Sequence, residues 1–185
     1  MLYSELINAV RDWLARPDLD SQIAQFIDRA QEQINGNLYI RENLKNQSIV
    51  YSTSNPQQYP SGLLKIVSLQ VSVNGHNYAL TPTSWALFNQ LPPATAIPRV
   101  YTMASDGFYV WPLPASSLSG SIIYFERFAN ISSSQSNWVL ENEPRLYLYG
   151  ALVQAEPYLA QDPRLEMWKR FLSEAMEEVA RRYAV

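Results

Sequence analysis

The 185-residue sequence predicts an α+β protein: a helical bundle formed by both chain ends, with a small antiparallel β-sandwich or barrel inserted between them. Three observations predict it. Charge is concentrated in the flanks, since between Asn46 and Asn137 the only charged residues are Lys65, Arg99, Asp106, Glu126 and Arg127. Apolar residues in both flanks recur at three- and four-residue steps, the helical period. The middle alternates apolar and polar residues and is punctuated by Asn-Gly and Asp-Gly. The expected boundaries are 1–45 with 138–185 for the bundle and 46–137 for the β domain.

The N-terminal flank reads as two helices. Leu6, Val10, Trp13 and Leu14 share a face, with Ser4 as the expected N-cap and Pro17 as the stop. A second helix should start near Asp18 or Asp20 and carry the stripe Ile23, Phe26, Ile27, Ala30 and Ile34. Gly36 is its expected C-terminal stop. Both stripes read as packing between helices.

Strands follow. Ile66 to Val73 alternates over most of its length, then come Asn74-Gly75 and Tyr78-Ala79-Leu80. Asn and Gly both tolerate positive φ, so a tight hairpin is expected there. Asp106-Gly107 marks a second hairpin, joining Val100–Met103 to Phe108–Trp111. Between the two, Ser84-Trp85-Ala86-Leu87-Phe88 reads as a short helix ending before Pro92-Pro93. Ser121 to Phe128, rich in β-branched and aromatic residues, is a further strand. The Ser-rich stretch from Asn130 to Asn137 reads as a flexible return linker.

The C-terminal flank is helical again. Asn142 is the expected cap of a helix with Pro144 in its first turn, where a missing N–H costs little. Leu146, Tyr149 and Val153 lie on one face, and Leu148, Leu152, Ala155 and Leu159 on another, so this helix should be buried on two sides. Pro157 should kink or end it, and Asp162-Pro163 should start the next. That last helix carries the seam Leu165, Trp168, Leu172, Ala175 and Val179, with Glu166–Arg170 and Glu177–Arg181 at i,i+4 spacing.

Composition narrows the function. A formal charge of −3 and a pI near 5.2 leave no electrostatic footprint for nucleic acid. Cysteine is absent, which excludes disulfides and thiolate metal sites. The opening Met-Leu-Tyr-Ser-Glu-Leu lacks a basic region followed by an apolar run, and no segment approaches the roughly 20 apolar residues of a membrane span. A protein made in the cytoplasm, without a membrane partner, is expected.

No catalytic, cofactor-binding or metal residue is expected either. His76, the one histidine, sits beside the Asn74-Gly75 turn and reads as a loop residue rather than a base. A metal site would need further ligands. Glu141 and Glu143 read as acids near a helix N-terminus rather than a glycosidase pair. Nucleophile-elbow, phosphate-loop and dinucleotide motifs are missing. Twelve Tyr, five Trp and six Phe could supply stacking platforms, but Lys65, Arg99 and Arg127 are too few cations to track a phosphate backbone. Core and subunit interface are the better destinations for these rings.

One series of spaced words remains. It runs through Ile97-Pro98-Arg99-Val100-Tyr101, Phe108-Tyr109-Val110-Trp111-Pro112-Leu113-Pro114 and Ser121-Ile122-Ile123-Tyr124-Phe125-Glu126. It continues through Asn137-Trp138-Val139-Leu140-Glu141-Asn142, Pro144-Arg145-Leu146-Tyr147-Leu148-Tyr149-Gly150-Ala151-Leu152, Ala155-Glu156-Pro157-Tyr158-Leu159 and Asp162-Pro163-Arg164-Leu165. The series resembles the head–tail adaptor (connector or neck) proteins of tailed bacteriophages, including the tail-tubular-protein-A type, over roughly residues 97 to 170. The resemblance implies a virion protein made in the host cytoplasm. It implies a self-associated ring of about a dozen subunits between the portal protein and tail or nozzle proteins, with duplex DNA passing unbound through the lumen. It implies a helical part docked on the portal and a β part facing the tail. The tail-facing loops would be Asn74, Gly75 and His76 together with Asp106 and Gly107. Portal docking falls to Arg181, Arg182 and Tyr183, whose residue types are enriched at interface hot spots. The alternative for these three is a frayed end whose arginines complement the helix dipole.

Two other functional classes compete. A carbohydrate- or receptor-binding β module on a helical stalk would display exposed Trp or Tyr platforms. A cell-wall hydrolase would need paired, perturbed carboxylates in one cleft.

Overall fold

The computed structural model describes residues 1–159 and 162–185. It divides into two compact units, Met1–Asn43 with Arg127–Val185, and Leu44–Glu126.

The first unit is helical. Helix α1 (Tyr3–Leu14) buries Leu6, Val10 and Leu14. Its N-cap is Leu2, not Ser4, and the Leu2 N–H donates to the Glu5 carboxylate at 2.7 Å. Pro17 opens a 3-10 turn (Pro17–Gln22) that leads into α2 (Ile23–Asn37), so the second helix starts later than Asp20. Gly36 lies inside α2 instead of ending it. The chain turns extended at Leu38, where Leu38 and Ile40 are drawn into the core.

Helix α4 is short (Trp138–Asn142), and its cap is Asn137, whose side chain accepts from the Leu140 N–H at 3.0 Å. Asn142 is therefore the last residue of α4 rather than a cap. Glu143 precedes a proline and leaves the helical region at φ −133°, ψ 54°, as sterics before proline demand. Helix α5 (Arg145–Gln154) then packs against α1, α2 and α6 (Arg164–Arg182). Leu146, Tyr147, Gly150, Ala151 and Leu152 are buried, which is burial on more than one side. At Gly150 a Cβ would stand 2.8 Å from the Ala30 Cβ, so α5 and α2 approach as closely as glycine permits. Pro157 sits in a 3-10 turn, and α6 buries Leu165, Trp168, Leu172, Ala175 and Val179. The i,i+4 ion pairs on α6 are Arg170–Glu174 and Arg182–Glu178, while Glu166 turns to Lys169.

Residues 127–137 belong to this unit and are not a loose linker. Phe128 and Ile131 are buried in its core. The Gln31 amide donates to the Ala129 carbonyl and accepts from the Ile131 N–H, and the Asn137 amide donates to the Ala129 carbonyl and the Tyr147 hydroxyl. A serine-rich composition concealed that anchoring.

The second unit holds two sheets. The first has the order β1-β7-β2-β3, from β1 (Leu44–Tyr51), β2 (Leu63–Val73), β3 (His76–Ala79) and β7 (Leu118–Glu126), all antiparallel. The second has the order β4-β5-β6, from β4 (Thr81–Pro82), β5 (Val100–Ala104) and β6 (Gly107–Trp111). Two expectations are corrected here. The sheets do not close into a barrel, and β4 runs parallel to β5, so the strands are not all antiparallel. Tyr51, Leu69, Val71, Phe108, Val110 and Ile122 from both sheets share one core. At the first hairpin Asn74 and Gly75 take φ 51° and 79°, the positive values the tight turn needs. At the second, Ala104 pairs with Gly107, so the turn is Ser105-Asp106.

Candidate functional site

Two places hold the residues singled out by sequence: the end of α6 in the helical unit and the hairpin tips of the β unit.

At the end of α6 the central group is a carboxylate. Glu143 is 5% exposed. It accepts from Arg182 Nη1 at 2.9 Å and from Arg145 Nε at 3.1 Å. Arg145 also reaches Glu178 at 2.8 Å, and Arg182 pairs with Glu178. The hydrogen bond from Arg145 holds the Glu178 carboxyl below its ordinary range, and the same bond raises the Arg145 guanidinium. One residue on, the Tyr183 ring meets Trp138 edge-on at 4.8 Å, and Trp138 in turn stacks on Phe128. The Arg41 guanidinium lies over the Tyr183 ring, 5.4 Å from its centroid, and the Arg41 backbone N–H donates to the Tyr183 carbonyl at 3.0 Å. Arg182 and Tyr183 are thus brought together with Glu143, Trp138 and Arg41. Arg181 is exposed, and its charge adds weakly to the pull on Glu178. Glu143 as an anchor carried no sequence signal beyond its position beside Pro144.

In the β unit, Asn74, Gly75 and His76 are exposed at the tip of the β2–β3 hairpin. Asp106 is exposed at the other tip and accepts from the Tyr109 hydroxyl at 2.9 Å. Gly107 is buried: with φ 151°, a Cβ there would fall 2.3 Å from the Gln57 carbonyl oxygen. It shapes the loop from inside rather than presenting a surface.

Sequence reasoning did not single out one cluster of rings. Helix α3 (Trp85–Phe88), capped by Ser84, lays Trp85 against Tyr109 at 5.0 Å and Phe88 at 5.7 Å, both edge-on. The Trp85 indole N–H donates to the Met103 carbonyl at 2.7 Å. Trp85, Leu87 and Met103 remain 39%, 59% and 45% exposed. The rings tilt into one another and the indole donor is occupied, so this is an apolar surface and not a flat stacking platform. The available signal was the apolar run of α3 inside a segment almost free of charge.

Lys45, Lys65, Arg99, Asp106 and Glu126 are the only Asp, Glu, Lys or Arg residues of the β unit. Among the described residues no group of three His, Asp or Glu stands ready to hold a metal ion, and no helix is long and apolar enough to cross a membrane.

No curated protein is matched significantly by this sequence. The profile of the SU10 adaptor protein family matches residues 1–185. A chain matched along that whole length belongs to the SU10 adaptor protein family, a family of phage head–tail adaptors.

Proposed function

We propose that this protein is a virion component that assembles into a ring of about twelve copies between the portal and the tail or nozzle proteins, forming part of the DNA conduit. The observation that carries the reading is the family match over residues 1–185. The helical bundle with its inserted β domain is the subunit of that ring. The bundle docks on the portal through the end of α6, with Arg181 as the available cation and Arg182 and Tyr183 shaping the surface. The β domain faces the tail through the tips at Asn74, Gly75, His76 and Asp106, with Gly107 supporting the second tip.

Two physical features support it. A β unit of low charge that leaves Trp85, Leu87, Met103 and Tyr78 exposed has the surface of a protein with neighbours. A net charge of −3 per copy leaves a ring without an overall positive field, so it offers a passing duplex little counterion-release binding.

Negative-stain microscopy of the purified protein, alone and mixed with its portal, tests the reading. Rings, free or seated on the portal, are expected. A chain that stays monomeric in both samples would overturn the adaptor ring.

A further inference from the structure

The four-stranded sheet ends on two open edges, and we propose that they meet: β1 of one copy pairs with β3 of the next, so that the antiparallel sheet continues from subunit to subunit. This inference rests on the ring reading and names the contact that would build it.

The registers show which backbone groups face outward. In an antiparallel strand the N–H and C=O of one residue point to the same side, and the side alternates along the chain. The Leu80 N–H donates to the Leu69 carbonyl, so Leu69 turns to β3, as do Val71 and Val73 opposite Tyr78 and His76. Gln70 then turns to β7, where it faces Ser121. Gly120 and Ile122 must therefore turn to β1, and their partners Ile49 and Gln47 turn inward to meet them. The backbone groups of Asn46, Ser48 and Val50 are left pointing away from the sheet. On the far edge the same alternation leaves Asn77 and Ala79 pointing away. No backbone partner for these five groups is found among the described residues.

Open edges in monomeric proteins are usually blunted by proline, a bulge or a charge. β1 pairs with β7 without a break over all eight residues, and its segment from Asn46 to Tyr51 has neither proline nor charge. Its one cation, Lys45, faces Glu126 at 3.7 Å. This edge is undefended.

Direction favours β3 of a second copy as the occupant. With the order β1-β7-β2-β3 and every pairing antiparallel, β1 and β3 run in opposite directions. A second copy displaced along the sheet sets its β3 antiparallel to the first copy's β1. The contact is head-to-tail, the kind that generates rings, whereas β1 against β1 would stop at a two-fold dimer.

Side chains agree with the backbone. Tyr78 lies opposite Val71 and on the same face, yet Val71 is fully buried and Tyr78 is 47% exposed. The sheet stops there, and one more strand would cover the ring. Asn46 to Tyr51 and His76 to Ala79 include no Asp, Glu, Lys or Arg, so no like charges meet. Beside β3, an open groove of about 560 Å³ between Tyr78 and the Ile97–Val100 segment gives an incoming strand room. β3 is four residues long, so the pairing spans about half of β1.

Amide hydrogen exchange, read by mass spectrometry on the monomer and on the ring formed alone or on the portal, tests the pairing. Exchange over 46–50 and 77–79 is expected to slow at least ten-fold on assembly. Ser48→Pro and Asn77→Pro each remove an outward N–H that the chain itself leaves unused, and proline is tolerated at such edge positions. Each is expected to keep the far-UV spectrum of the monomer and to lower ring yield ten-fold or more. If a proline variant fails to fold, the exchange result on the unaltered chain decides. Rings in which both edges exchange as fast as in the monomer would overturn the pairing and leave the ring reading standing. Slowing at one edge only would also overturn it, pointing to a β1–β1 dimer or a strand from another protein. A chain that never assembles, alone or with portal, would remove both readings together.

Discussion

Arg182 donates from Nη1 to Oε1 of Glu143 at 2.9 Å, across 39 residues of sequence, and the carboxylate it reaches is almost wholly buried. The last turn of α6 is thereby tied to the corner between α4 and α5. Replacing Glu143 by Gln removes the charge that both Arg145 and Arg182 approach. Both arginines are partly exposed and can rehydrate, so the cost is about 1–3 kcal/mol rather than that of a sealed ion pair. A Tm lower by roughly 3–10 °C in a thermal melt is expected.

Arg181 and Tyr183 should separate cleanly in the same assay. Arg181 is exposed and adds only an electrostatic pull on Glu178, the last of several, so Arg181→Ala should change stability by less than about 0.5 kcal/mol. Tyr183→Ala removes the ring contacts with Trp138 and the Arg41 guanidinium, keeps the backbone bond to Arg41, and should cost about 1–2 kcal/mol. Deleting 181–185 therefore destabilises the helical unit as well as removing the proposed portal contact. Arg181→Ala is the variant that reads portal binding without disturbing the fold: weaker co-sedimentation with portal at unchanged Tm is expected.

Acid should loosen the turn before α6. The Asp162 carboxyl is held down to about 2 from its ordinary 3.8, first by the side chain of Arg164 and then by the Arg164 backbone N–H. A folded value below the unfolded one means that this contribution is fully present above pH 4 and is lost as pH falls from about 4 towards 2. Arg164 also donates to the Trp13 and Leu14 carbonyls, so the end of α1 is affected too. Melts of the wild type and Asp162→Asn should differ at pH 6 and converge near pH 2.

Gly150→Ala should destabilise by about 1–3 kcal/mol, because its methyl would meet Ala30 at 2.8 Å. Ala30→Gly in the same chain removes the opposing methyl. The double variant should be more stable than the sum of the two single changes, and urea unfolding of all four proteins measures that coupling.

Binding to free duplex DNA should be weaker than micromolar at physiological salt, given −3 per copy and so few cations in the β unit. Fluorescence anisotropy on the assembled ring checks it.

Helical periodicity was readable from sequence because each stripe packs against partners in its own unit: Leu6, Val10 and Leu14, and Leu165 to Val179, are buried where their spacing puts them. The Asn74-Gly75 turn was readable because it depends on two residues' φ alone. β1 was not. Leu-Lys-Asn-Gln-Ser-Ile-Val-Tyr has no alternation, since an edge strand buries little on either face and its pairing is dictated by β7. Asn137 was overlooked as a cap because Asn142 stands nearer the proline, and only the fold shows which of two asparagines meets a helix N-terminus. The site was half legible. Arg182 and Tyr183 stood out by residue type, but their partners Glu143, Trp138 and Arg41 lie far off in sequence, where spacing carries no information.

The pairing of Leu44 with Phe125 has a bearing on synthesis. Residues 1–43 leave the ribosome long before 127–185, the segment that covers their apolar stripes. Alone, two short amphipathic helices are marginal in water. The segment made next, however, folds with its first and last strands side by side. Once β1 and β7 have joined, the roughly 80-residue gap between the two halves of the helical unit shrinks to one strand spacing, and about 4 kcal/mol of loop-closure entropy has already been met. The inserted unit is thus a clasp, and the nascent helices behind it need wait only for the sequence that follows.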